Sequence, residues 1–170
     1  MTIDGWDDLL SGFDRGLLVD LLAVVDAEIT KLDDLIAQDR DPDGSGLLDR
    51  GDSLYGLGFV VCQQYINTSY RASGLKRSEA LARGPMYSSD SYVKVVDAAA
   101  NYWKHHGEWD GEGEPERRTR AVLDALFPTR NDYPMSNVLH ELLGRPATLR
   151  LSDLVPWLES WRRGLPRAEA

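Results

Sequence analysis

Cysteine is almost absent from the chain. Cys62 stands alone in the apolar run LGFVVCQQY, which excludes an internal disulfide and any multi-cysteine metal site and marks this thiol as a small core residue. Long apolar runs are missing too: none approaches the roughly 18 residues that span a bilayer, so no membrane partner is expected. The opening MTIDGWDDLL is acidic where a secretory leader would be basic, which predicts a cytoplasmic protein. No G-x-S-x-G elbow, P-loop, G-x-G-x-x-G turn or H-E-x-x-H pair occurs. The sequence therefore offers no ready nucleophile elbow, phosphate cradle, dinucleotide site or same-face zinc pair, and no cofactor is expected.

Positive charge is scarce in one region only. The net charge is −9 over 170 residues, a length that suits one domain with its own core. The first 50 residues hold 13 acids against 4 bases, while the remaining 120 hold 15 of each. An acidic N-terminal third argues against broad nonspecific binding to phosphate backbones, which requires clustered cations. The neutral remainder still has room for a local RNA site, with small basic groups at Lys76, Arg77 and Arg83 and at Arg117, Arg118 and Arg120.

What is present is helical periodicity. Leu18, Leu21, Leu22, Val25, Ile29, Leu32 and Ile36 recur at three-and-four spacing and predict an amphipathic helix over 16–38. A second helix is expected from Asp52 or Ser53, either able to cap it, to about residue 72, with Tyr55, Phe59, Cys62 and Ile66 as its core stripe. Gln63, Gln64 and Asn67 are polar for such a position and either face solvent or line a polar groove. Residues 73–91 read as a crossover with a short helix at 77–83. A third major helix spans about 91–106, and Gly107 ends or frays it. A helix opened by Pro115 and stopped by Pro128 follows, then one over 134–143 ended by Gly144, and one from a Ser152 cap to about residue 163. No alternating strand pattern appears. The expected class is an all-α antiparallel bundle of two long and several shorter helices, one domain with a core at about 16–127 and a C-terminal helical extension at about 132–164.

Three places carry candidate function. In the loop DRDPDGSGLLDR, Asp39, Asp41, Asp43 and Gly44 match positions 1, 3, 5 and 6 of an EF-hand, but Arg50 stands where the bidentate Glu belongs, which makes calcium the weaker alternative to a polar turn. Leu154, Trp157, Leu158 and Trp161 form a stripe on the last helix. It packs on the bundle or else docks a protein partner through Trp157 and Trp161. The third place is ANYWKHHGEW, residues 100–109, where about 100° of rotation per residue puts Asn101, His105 and Glu108 on one stripe beside Lys104. An imidazole can exchange a proton at neutral pH and a lysine can stabilise phosphate charge, so Asn101, Lys104 and His105 are the candidate catalytic set for RNA cleavage. His106 falls toward the apolar side, and His140 in SNVLHELLG reads as structural.

Those residues carry a family resemblance. The spacing of the polar Asn101 and His105, after two long helices, resembles the motif of the HEPN superfamily of nucleotide-binding helical bundles, in which an Arg, a polar residue, three further residues and a His pair across a dimer cleft to cut RNA without a metal. The run Asn101-Tyr102-Trp103-Lys104-His105 with Glu108 and Trp109 is also similar to bacterial HEPN-like proteins. The resemblance covers about residues 16–127 and implies a homodimer, RNA or a nucleotide as partner, and a defence or toxin–antitoxin setting. The family's arginine position holds Ala100, which can neither position a phosphate nor stabilise its charge. A binding or regulatory module without the usual cleavage is therefore the leading expectation. A metal-independent endoribonuclease using His105, with Lys104 and Asn101 on the scissile phosphate, is the alternative, and a structural interaction protein is a third.

Overall fold

The fold was read from a computed structural model that describes residues 14–108, 113–124 and 132–167. Helix α1 (Arg15–Gln38) starts where the Asp14 carboxylate accepts the Leu17 N–H at 2.8 Å, and its predicted stripe is buried at Leu18, Leu22, Val25, Ile29 and Leu32. A tight turn at 39–46 reverses the chain into α2 (Leu47–Ala72). This helix begins five residues earlier than its expected Asp52 cap, behind Gly46 at φ 75°. Asp52 caps a different helix: its Oδ1 accepts the backbone N–H groups of Met135 and Ser136, both at 2.8 Å, at the start of α6 (Pro134–Leu142).

Helix α2 buries Tyr55, Phe59, Cys62 and Ile66 as expected, and its glycines let neighbours close in. A Cβ on Gly56 would collide with the Trp103 ring, and one on Gly58 with Leu151. The crossover contains α3 (Arg77–Leu81) and a two-residue hairpin of β1 (Met86–Tyr87) and β2 (Asp90–Ser91), antiparallel with Met86 opposite Ser91. Strands this short leave no alternation for the sequence to display. Ser91 then caps α4 (Tyr92–His105), accepting the Lys94 N–H at 3.1 Å, and a 3-10 turn over His106–Glu108 ends it at Gly107 as predicted. Helix α5 (Glu114–Asp124) packs Val122 and Leu123 inward. The expected Pro128 stop and Trp109 lie outside the described residues.

Near the C-terminus, α6 ends at Gly144, which takes φ 73° as a glycine after a helix should. Ser152 does not cap the last helix directly. A 3-10 turn over Leu151–Leu154 comes first, followed by α7 (Val155–Arg163). The buried Asp26 of α1 caps that turn, accepting from Leu151 N at 2.8 Å, Ser152 N at 3.1 Å and Ser152 Oγ at 2.6 Å.

The protein is thus an all-α bundle, with α1, α2 and α4 at its centre and α6 and α7 contributing to the same buried cluster through Met135, Leu139, Leu154 and Trp161. Of the two readings of the last helix, packing on the bundle is the one seen. Trp161 is 1% exposed and donates its indole N–H to the Ala80 carbonyl at 2.9 Å, and Trp157 packs edge-on against Tyr92. Among the described residues, no helix is long and apolar enough to cross a membrane.

Candidate functional site

The polar side of α4 faces α2, and the two are joined there by a buried network. Gln63, mid-way along α2, is 1% exposed. Its Nε2 donates to Asp97 Oδ1 at 2.8 Å and to Asn101 Oδ1 at 2.9 Å, while its Oε1 accepts from Lys104 Nζ at 2.6 Å. Asn101 Nδ2 donates to Asp97 Oδ2 at 3.3 Å, and the Arg77 guanidinium reaches across from α3 to Asp97 Oδ1. Spacing explains the α4 half of this set: residues 97, 101 and 104 recur at four and three and so share one face. Burying a carboxamide and a carboxylate side by side is tolerable only because each finds partners.

The charges are one carboxylate against two cations, so the seam carries a positive surplus at its outer edge. Arg77 is partly exposed there and Lys104 is exposed. Burial lowers the Lys104 pKa from its ordinary value, the Arg77 charge acts in the same direction, and the Asp97 charge opposes both.

The structure brings together only part of the predicted set. Asn101 and Lys104 meet through Gln63. His105 does not join them: its side chain is 47% exposed, and its Nδ1 lies 3.3 Å from Glu108 Oε2, a partner on the predicted stripe. His106 is corrected from a packed to an exposed residue. Its ring stacks on Tyr102, centroids 5.1 Å apart, and Nδ1 donates back to the Tyr102 and Trp103 carbonyls at 3.1 Å. Ala100, which the resemblance would align with an arginine, is 0% exposed and faces the apolar core.

Gln63, Asp97 and Arg77 were not in the predicted site. A single glutamine inside the stripe of Phe59, Cys62 and Ile66 was the available signal for the first of them. The other two needed knowledge of which helices pack together.

The loop of the calcium alternative is a hydrogen-bonded turn. Asp39 Oδ1 accepts the Asp41 N–H at 2.8 Å, Asp41 Oδ1 accepts the Gly44 N–H at 3.0 Å, and Asp43 takes the Tyr133 hydroxyl. These carboxylates hold the turn rather than converge, and among the described residues no group of three or more His, Cys, Asp or Glu is placed to hold a metal ion. Cys62 is fully buried, and burial pushes its thiol far above the usual range, which leaves it inert.

Comparison with protein-family models, with curated proteins and with solved structures found no match.

Proposed function

We propose that this chain is a HEPN-like helical module that binds RNA or a nucleotide, and regulates rather than cleaves. In this reading it works as a cytoplasmic homodimer in a bacterial defence or toxin–antitoxin setting, the setting being what the resemblance of residues 100–109 supplies. One observation carries the nonenzymatic part. Asn101 and Lys104 are committed to Gln63 and Asp97, while His105 sits outside that network against Glu108. An acid–base histidine needs a phosphate held against its own ring, and here Lys104 is bonded to Gln63 at the seam while His105 pairs with Glu108 instead.

Binding rests on the surplus cation. Lys104 and Arg77 form the outer edge of the seam, and a single-stranded phosphate backbone meeting them would gain by counterion release. Purified protein incubated with structured and single-stranded RNA, with EDTA present, is expected to bind without cutting. Lys104→Gln should weaken binding across all sequences and lower the salt slope by about 0.7. Cleavage that disappears in His105→Ala would replace this reading with the endoribonuclease. A monomer by light scattering at tens of micromolar would remove the dimer.

A further inference from the structure

A pocket of about 130 Å³ opens between α1, α2 and the first turn of α6. None of its lining residues belongs to α4 or to the Gln63 network, so what it binds is independent of the RNA reading. The floor is aliphatic, from Ile29, Leu32 and Ile36 of α1, and the polar end is Asp33, Asp52 and Tyr55. Two features of that end bear on what it could hold.

First, Tyr55 is 8% exposed and lines the pocket, and no residue among those described bonds its hydroxyl, whose oxygen is not among the buried atoms left without a partner and so stays open. An open phenol oxygen at the edge of a pocket is placed to accept a hydrogen bond from a guest. Second, carboxylates outnumber cations there. Asp33 and Asp52 both line the pocket, and the cation beside them is Arg150, 3.3 Å from Asp33 and not itself part of the lining. Asp52 uses Oδ1 on the Met135 and Ser136 N–H groups, both at 2.8 Å. Burial and the Asp33 charge, together with Asp26 and Asp52, push the Tyr55 hydroxyl up to about 12, so it stays neutral at cellular pH. An anionic guest would face carboxylates.

We propose that this pocket binds a small organic ammonium whose compact apolar body lies on the Ile29, Leu32 and Ile36 floor and whose NH3+ group donates to Asp33 and to the Tyr55 oxygen. The volume sets the size, since an apolar cavity of about 150 Å³ holds benzene.

The probes are benzylamine, benzyl alcohol and benzoate, which share a body and differ in charge. They are titrated into the full chain and followed by amide chemical shifts and calorimetry. Benzylamine is expected to give saturable shifts at Gly51, Asp52 and Ser136 with Kd of about 1 mM, with benzyl alcohol about tenfold weaker and benzoate not saturating. In Asp33→Asn, a half-exposed position whose change spares the core, the preference for amine over alcohol should disappear. Absence of saturable shifts with benzylamine, equal affinity for amine and alcohol, or an unchanged preference in Asp33→Asn would each overturn the proposal. RNA binding measured on the same samples reports separately on the α4 seam.

Discussion

Ala100 shows how much one side chain decides. The resemblance would align it with an arginine, but the backbone there points its methyl group into the core, 0% exposed, while its neighbour Asn101 turns to the polar seam. An arginine placed there would not be a cleft residue. It would drive an unpaired guanidinium among Val96, Ala99 and their neighbours, and desolvating such a charge is costly whether or not the local packing yields. Ala100→Arg should therefore lower stability by about 3 kcal/mol or more in urea unfolding, and give no RNA cleavage. A variant that keeps its stability and gains cleavage would show that α4 presents residue 100 to a substrate. Stripe arithmetic placed Asn101, His105 and Glu108 on one side; His105 meets Glu108, while Asn101 turns to Gln63 and Asp97. It could not separate residues bound into a network from residues left at a helix end. That separation depends on the pairing of Gln63 with Asp97, 34 positions apart in the chain, which no local pattern shows.

Among the elements, α1 was legible because its apolar positions repeat over the whole helix and all meet one partner surface. Helix α6 was legible because Pro134 and Gly144 punctuate both of its ends. The start of α2 and of the C-terminal helical segment were not, and for one shared reason. Asp52 and Ser152 are residues that usually cap the helix they precede, but Asp52 reaches across the bundle to α6, and Ser152 receives the Asp26 carboxylate from α1. A carboxylate at a helix N-terminus offsets the partial positive charge of the first N–H groups wherever in the chain it originates. For Asp52 this stabilisation is opposed by burial, which is the larger influence and raises its pKa above the ordinary carboxylate value. A raised folded-state pKa means that the ionised form costs stability above that pKa, and that the cost fades as pH falls through it toward the unfolded value. Asparagine keeps an oxygen for Met135 and Ser136 without the charge. Asp52→Asn should thus melt above the wild type at neutral pH, with the gap closing toward about pH 4, where the unfolded carboxyl also takes its proton. Thermal melts of the two proteins across that range check the sign, and a gap that widens on acidification would show that charge-assisted capping outweighs burial.

At the scale of the whole molecule, the later helices are tied to the first hairpin rather than laid on it. Asp26 and Asp52 fasten the segment at Leu151 and the start of α6, Leu151 fills the space left by Gly58, and Trp161 plugs the gap beside α3, with its indole bonded to the Ala80 carbonyl. Leu139, Leu154, Leu158 and Trp161 belong to the same buried cluster as Leu18, Phe59 and Val95. With the hydrophobic contacts and the buried polar contacts shared in this way, neither half can expose its interface without stranding both apolar surface and capping carboxylates. Unfolding should accordingly be one event, with the same urea midpoint by far-UV circular dichroism and by tryptophan fluorescence. Trp161→Ala should then cost about 3–5 kcal/mol and shift both signals together, because the cavity it leaves lies in a core common to the whole chain. Trp161→Phe, which keeps most of the volume and loses only the indole bond to an Ala80 carbonyl that still accepts the Arg83 N–H at 3.2 Å, should cost about 1 kcal/mol. Two separated midpoints, or a Trp161→Ala protein in which the signal from the α1–α2 hairpin is unmoved, would mean that the C-terminal helices fold as an independent layer.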